Sequence, residues 1–265
     1  MTKLTHDTEI NLAGVMGYPI THSRSPLMHN TLMRENQVAG VYIPIEIKPG
    51  NLGPALESLP RLGFKGVNLT MPLKQEAIAT VDELDPVGKL MGAVSCIVVR
   101  KDNSLLGVNN DWVGFRDNLD ATVPGWKSTT NSALVLGAGG GGLAIVYALV
   151  QEGVEEIVIT NRSQERAEQV AEIFRGQNIG VRPWAERHSL VADADLIVNT
   201  TNQGMAGQTP LDLSLDLAKP ETIVADTLFV PLETSLITDA KSRGLRTVGG
   251  LGMLLHQSRP AWRLW

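Results

Sequence analysis

Three glycines in one turn, Gly137, Gly139 and Gly142, carry the most specific chemical signal in the chain. They interrupt the apolar run Ala133-Leu-Val-Leu136 and precede the helical stretch from Leu143 to about Glu152. A second apolar run, Ile157-Val-Ile-Thr160, follows, so the pattern is strand, turn, helix, strand. Gly-x-Gly-x-x-Gly spacing in that setting suits a dinucleotide pyrophosphate. The first glycine permits the sharp turn, the second lets backbone approach the phosphates, and the third lets the helix lie against the sheet. Backbone N–H groups at the helix start then face the anion. The candidate cofactor residues here are Gly137, Ala138, Gly139, Gly140, Gly141 and Gly142. A plain structural turn is the alternative.

The end of the second strand decides which dinucleotide. An acidic residue there would hold a ribose 2′-hydroxyl, as NAD requires. This chain offers Asn161, Arg162 and Ser163, with Arg166 one helical turn on. Guanidinium groups suit a 2′-phosphate, which points to NADP, with NAD as the alternative. The competing reading makes Ser163 a helix cap and both arginines solvated.

Other polar residues gather where strands end. Ser23 and Ser25 precede Pro26 at a helix start, where hydroxyls and amides can hold a carboxylate or merely cap the helix. Asn68-Leu-Thr-Met-Pro-Leu-Lys74 ends the strand Gly66–Thr70. Pro72 is expected to open a helix with Lys74 in its first turn. The helix dipole gives a lysine nothing there, so Lys74 reads as functional or as a solvated surface residue. Asp111 ends Asn109-Asn110-Asp111 and either caps the following helix or does chemistry.

The elements that must position these residues form an α/β chain. Strands are expected at Leu12–Gly17, Val41–Ile47, Gly66–Thr70, Ala133–Leu136, Ile157–Thr160, Ala194–Thr201 and Thr222–Phe229. A hairpin joins Ala93–Arg100 to Leu105–Asn109. Helices are expected over 52–62 and from Gly249 through His256 to Trp265. Strands alternating with helices in the second half imply a parallel, helix-covered sheet. Thr122–Thr130 is turn-rich and precedes the glycine turn.

With 265 residues, a net charge of −5 and 43% hydrophobic residues, the chain has core enough for one large domain or two modest ones. That charge gives no reason to expect nucleic acid or an anionic membrane. No apolar run reaches spanning length, and Met1–Asp7 lacks a signal peptide's apolar segment. The lone Cys96 excludes an intrachain disulfide and a thiolate-rich metal site. These features fit a soluble cytoplasmic protein, monomer or homodimer, with no metal.

The loops taken together resemble the shikimate dehydrogenase family. The matching elements are Gly17-x-Pro-Ile-x-His-Ser-x-Ser-Pro26, Asn68-x-Thr-x-Pro-x-Lys74, Gly92-Ala-Val94, Asn109-x-Asp111, Gly137-Ala-Gly-Gly140, Asn161-Arg-Ser163, Asn199-x-Thr201 with Gly204-Met205, and Gly252-Met-Leu254 with Gln257. The resemblance implies an N-terminal α/β substrate-binding domain, residues 1–112, completed by a C-terminal helix over 250–265. Residues 113–249 would be a Rossmann domain, with the active site in the cleft between the two. It implies that Lys74 and Asp111 are the catalytic pair, the lysine exchanging a proton while hydride passes to or from the nicotinamide. Ser23 and Ser25 would hold the substrate carboxylate with Thr70 beside them. Asn68, Asn109 and Gln257 would take hydroxyls. Thr200, Thr201, Gly250 and Met253 would line the nicotinamide, and Asn161, Arg162 and Arg166 the 2′-phosphate. His22 and His256 are read as ordinary polar residues.

Four elements depart from that family's pattern. Ser95 stands where an asparagine is usual, Trp112 replaces a glycine beside Asp111, Phe229 replaces a tyrosine, and Gly141-Gly142 replaces paired alanines. Losing substrate-facing hydrogen bonds at Ser95 and Phe229 would relax discrimination among hydroxylated rings. The expected reaction is therefore reversible oxidation of shikimate or a related cyclic hydroxy acid. The alternatives are a quinate- or aminoshikimate-type dehydrogenase using NAD, and a non-catalytic metabolite sensor.

Overall fold

A computed structural model describes residues 10–21 and 23–265. The N-terminal stretch Met1–Asp7 and His22, both read above, lie outside the described residues. The chain divides into two compact units. One comprises the described residues through Asn110 together with Ser258–Trp265, and the other is Asp111–Gln257. The division thus falls at 110/111 rather than 112/113, and only the last eight residues, not the whole of 250–265, join the first unit.

The first unit runs β1 (Asn11–Gly17), α1 (Ser25–Glu35), β2 (Gly40–Glu46), α2 (Leu52–Ser58), β3 (Phe64–Leu69), β4 (Glu83–Leu84), α3 (Pro86–Met91), β5 (Cys96–Val99) and β6 (Leu105–Val108). Its strands form one mixed sheet in the order β2-β1-β3-β5-β6-β4. The first three are mutually parallel, and β5 runs antiparallel to both β3 and β6. One face buries Leu52, Leu56, Val67, Leu73 and Ile97. The other packs Ala13, Val15 and Tyr42 against Trp262 and Trp265. A Cβ on Gly66 would sit 2.1 Å from the Ile97 carbonyl oxygen and from Trp265 Nε1, so glycine there admits the indole.

The second unit runs α4 (Asp111–Thr122), β7 (Ser132–Leu136), α5 (Gly140–Gln151), β8 (Glu156–Asn161), α6 (Gln164–Ile173), β9 (Ile179–Pro183), α7 (Arg187–Leu190), β10 (Leu196–Asn199), β11 (Ile223–Asp226), α8 (Ser235–Ser242), β12 (Arg246–Val248) and α9 (Gly250–His256). Helix α10 (Ser258–Leu264) completes the first unit. The strands β7 to β12 are all parallel, in the order β12-β11-β10-β7-β8-β9. That is the doubly wound order with its switch point between β7 and β10.

Three local expectations are corrected. Lys74 lies in a turn, not a helix: Leu73 N–H bonds the Thr70 carbonyl at 3.0 Å, and only Glu76–Ala79 forms a short 3₁₀ segment. Buried Leu73 and Ala77 anchor the segment, while the Glu76 carboxylate accepts from Gly50 and Leu52 N–H and so closes the start of α2. Helix α1 begins at Ser25 itself, with Arg24 at the cap position and Ser23 Oγ accepting the Ser25 N–H at 3.3 Å. The final helix is two helices, because the Pro260 ring cannot follow a helical His256 carbonyl four residues back.

Candidate dinucleotide and substrate sites

The second unit brings the glycine turn to the switch point of its sheet. Gly137 has φ +112°, and a Cβ there would meet Thr200 Oγ1 at 2.5 Å. A Cβ on Gly142 would lie 2.3 Å from the Gly137 carbonyl oxygen, whereas Gly139 and Gly140 face open space. Two glycines therefore allow the fold to close and two leave room for phosphates at the N-terminus of α5. A Cβ at 142 would require the turn's backbone at Gly137 to shift. An open cleft of about 160 Å³ is lined by Gly137, Ala138, Gly139, Asn161, Arg162 and Thr200, among others. Its size suits the middle of a dinucleotide rather than the whole.

Around that cleft the hydrogen bonds are specific. Asn161 Oδ1 accepts the Ala138 N–H at 3.3 Å, and its amide donates to the Ser163 carbonyl at 2.8 Å. Ser163 stands at the cap position of α6 but makes no side-chain cap bond. Arg162 and Arg166 are exposed and, among the described residues, form no ion pair. These three side chains can therefore serve an anion, and the donor set fits a 2′-phosphate.

Buried Asp226 orders the opposite wall. It accepts from Thr234 Oγ1 at 2.6 Å, Leu228 N–H at 3.0 Å and Asn199 Nδ2 at 3.1 Å. Burial pushes its carboxyl above the usual carboxylate range, and these bonds partly offset the rise. Asn199 Oδ1 in turn accepts from Thr201 N–H and Oγ1, and Thr201 Oγ1 accepts from Gln203 N–H. Thr200, Thr201, Asn202 and Gln203 all line the cleft. Asn202, Gln203 and Trp184 are not among the residues expected from sequence. The first two follow the carboxyl end of β10, a signal that could have found them. Trp184 follows β9, whose short Ile179-Gly-Val-Arg-Pro183, broken by glycine and ending in proline, carries little strand signal.

In the same unit, α4 carries Asp111 in its first turn, 8% exposed. Helix α9 packs on α4 through glycines. A Cβ on Gly114 would meet Gln257 Cβ and the Met253 carbonyl at 2.7 Å, and one on Gly252 would overlap Asn118. Asn118 Nδ2 also donates to the Gly249 carbonyl at 2.9 Å. Asp111, Met253 and Gln257 are thus held on adjoining helices. Gly250 lies against the Thr227 carbonyl, where a Cβ would sit at 2.3 Å. Phe229 is half-buried just beyond β11. The Trp112 indole lies edge-on to Tyr147 at 5.2 Å under the Arg116 guanidinium at 4.9 Å, so it is spent on packing α4 against α5.

In the first unit the expected substrate residues share one edge of the sheet. Parallel β1 and β3 end there, and so does β6, while antiparallel β5 begins there. Ser23 and Ser25 follow β1, and Thr70 follows β3, with the Thr70 methyl 2.4 Å from where a Gly17 Cβ would stand. Lys74 is half-buried, and its carbonyl accepts the Val94 N–H at 2.8 Å. Ser95 bridges the strands, its carbonyl accepting from Leu69 N–H and its N–H donating to the Val108 carbonyl, both at 2.9 Å. Asn68 Oδ1 accepts from the buried Tyr42 hydroxyl at 2.8 Å. Asn109 is 2% exposed, its Nδ2 donating to the Ala93 carbonyl at 3.0 Å and its N–H to Asp85 Oδ1 at 3.3 Å.

The parallel sheet, the glycine turn and the polar cleft beside it define a Rossmann-type dinucleotide-binding protein, joined to a second α/β unit. Family models described as "Shikimate dehydrogenase substrate binding domain" and "Shikimate / quinate 5-dehydrogenase" match residues 15–97 and 121–224. A protein of Paramagnetospirillum magneticum named shikimate dehydrogenase (NADP(+)) is 44% identical, over 96% of this chain and 92% of its own length. The crystal structure of a Thermus thermophilus shikimate 5-dehydrogenase in complex with NADP(H) and shikimate aligns with a TM-score of 0.86 at 34% identity, covering 96% of this chain and 93% of that one. A Corynebacterium glutamicum quinate dehydrogenase in complex with NAD aligns at 0.89 and 29% identity, covering 97% and 94%. The chain belongs to the shikimate dehydrogenase family.

Proposed function

We propose that this protein is an NADP-dependent shikimate dehydrogenase, interconverting a ring hydroxyl of shikimate and the corresponding ketone. The observation that carries the reading is near-full-length similarity to relatives named shikimate dehydrogenase (NADP(+)), at 38–44% identity. Exposed Arg162, Ser163 and Arg166, with no carboxylate at the end of β8, support NADP over NAD.

The bound nicotinamide would accept or return the hydride. The rest falls to this chain's side chains. Ser23 and Ser25 hold the substrate carboxylate, with Thr70 beside them. Lys74 takes the hydroxyl proton in oxidation and gives one to the ketone oxygen in reduction. Asp111 orients that exchange and the reacting hydroxyl, while Asn68 and Gln257 take ring hydroxyls. Thr200, Thr201, Gly250 and Met253 bound the nicotinamide. The proposed domain roles follow: substrate binding in the first unit, cofactor binding in the second. The proposal includes a cytoplasmic protein, monomer or homodimer, acting on a small carboxylate; among the described residues no helix is long and apolar enough to cross a membrane.

Quinate is the second reading, favoured by one observation. The Ser95 hydroxyl accepts a backbone N–H, and Phe229 has no hydroxyl, so fewer side-chain groups remain to discriminate between ring acids. Absorbance at 340 nm with shikimate and quinate, each with NADP and NAD, tests both readings. Turnover of shikimate with NADP is expected to be fastest. No turnover with either acid and either dinucleotide would overturn the proposal. Lys74→Ala should lower kcat by roughly 10²- to 10⁴-fold while keeping NADP affinity.

A further inference from the structure

We propose that the side-chain amide of Asn110 is a specificity-determining donor that binds a ring-hydroxyl oxygen of the substrate. Reading from sequence gives that task to its neighbour Asn109. The inference rests on the dehydrogenase reading above.

Two consecutive asparagines follow β6, and the structure uses them differently. The Asn109 amide is committed internally, to the Ala93 carbonyl at 3.0 Å. Asn110 is 5% exposed, and its backbone N–H donates to Ser95 Oγ at 2.8 Å. Its Nδ2 is buried with no hydrogen-bond partner. A buried donor without an acceptor opposes folding, and such groups are rare in native proteins. A neutral NH₂ group calls for an oxygen acceptor.

The surroundings select which oxygen. Ser95 and Asn110 adjoin at the sheet edge that also holds Asn68, Thr70 and Lys74. The Lys74 carbonyl accepts from Val94, the residue before Ser95. Two hydroxyls, on Ser23 and Ser25, are already assigned to the substrate carboxylate. A ring hydroxyl is what remains for Asn110. Ser95 is then a positioning residue: its hydroxyl pins the Asn110 backbone and so sets where the amide stands. This accounts for a serine at a substrate-lined edge whose oxygen is engaged by a backbone group.

Asn110→Leu tests the inference, since leucine has similar volume and no polar atom. The readouts are kcat, KM for shikimate, KM for NADP, and the melting temperature of the free protein. The expected result is a rise of about tenfold or more in KM for shikimate, the size of one lost hydrogen bond to a buried group. KM for NADP and kcat should change little, and the free protein should melt at the same temperature or higher. An analogue lacking the contacted hydroxyl should bind wild type and variant alike. Unchanged KM for shikimate, or a lower melting temperature with both KM values rising together, would overturn the inference. Should the leucine variant not fold, Asn110→Ala is read by the same KM criterion. Wild type turning over neither shikimate nor quinate would instead overturn the underlying function, a result distinguishable from an unaffected variant of an active enzyme.

Discussion

Asp226 sets the rotamer of Asn199: its Oδ1 accepts the Asn199 amide at 3.1 Å, leaving Asn199 Oδ1 to hold Thr201. A carboxylate that touches no ligand thereby shapes one wall of the dinucleotide cleft. Asp226→Asn puts an NH₂ in place of one accepting oxygen, facing either the Thr234 hydroxyl or, flipped, the Asn199 amide and the Leu228 N–H. The loss of a satisfied buried network costs about 1–3 kcal/mol. KM for NADP should rise by about tenfold with KM for shikimate nearly unchanged, as measured by initial rates.

Gly142→Ala should be among the most damaging single-methyl changes in the second unit. The added Cβ would stand 2.3 Å from the Gly137 carbonyl oxygen, where backbone rather than a flexible side chain must yield. Overpacking of this kind costs about 1–3 kcal/mol. A lower melting temperature and a weakened thermal shift on adding NADP are expected together; an unchanged NADP shift would show that the turn tolerates the methyl.

Arg162→Ala and Arg166→Ala test the cofactor preference. Both guanidinium groups are exposed, so screening limits each to about 1 kcal/mol toward a phosphate. KM for NADP should rise about fivefold in each variant while KM for NAD stays level. Equal effects on the two cofactors would place the arginines elsewhere than at the 2′-phosphate.

His29 makes the first unit acid-sensitive. Only 1% exposed, it stacks on Tyr42 at 4.0 Å and accepts the Trp262 indole N–H at 2.7 Å. Burial holds its pKa down at about 4, against 6.5 for a free imidazole. Between those values the unfolded chain binds more protons than the folded one, so stability falls as pH drops from 6.5 toward 4. The contribution is full above 6.5 and reaches about 3 kcal/mol at most. Denaturant titrations across that window should show the slope, and His29→Phe should flatten it.

Much of the cofactor half is legible in the sequence because its signals are local. The glycine spacing, the apolar runs beside it and Asn161-Arg162-Ser163 all lie within one βαβ unit. The parallel, helix-covered sheet follows from the alternation of strands and helices in that half, whereas its strand order does not. The substrate edge is less legible, since it gathers residues far apart in the chain. Nothing local to Ser95 shows that its hydroxyl is spent on Asn110, nor does the resemblance show that Trp112 packs against Tyr147. Lys74 is misplaced by sequence for a related reason. Pro72 reads locally as a helix start, whereas burial of Leu73 and Ala77 and the reach of Glu76 to α2 favour a turn. The break at Gln257 is readable, because Pro260 announces it.

Helix α10 carries a temporal consequence. Trp262 and Trp265 cover the sheet face built from Ala13, Val15 and Tyr42, yet they are synthesised after the entire second unit. During translation the parallel sheet around the dinucleotide cleft can close while the earlier-made half still exposes apolar surface. The half that leaves the ribosome first is thus the last to finish. Its closure depends on contacts such as His29 with Trp262, 233 residues apart in sequence.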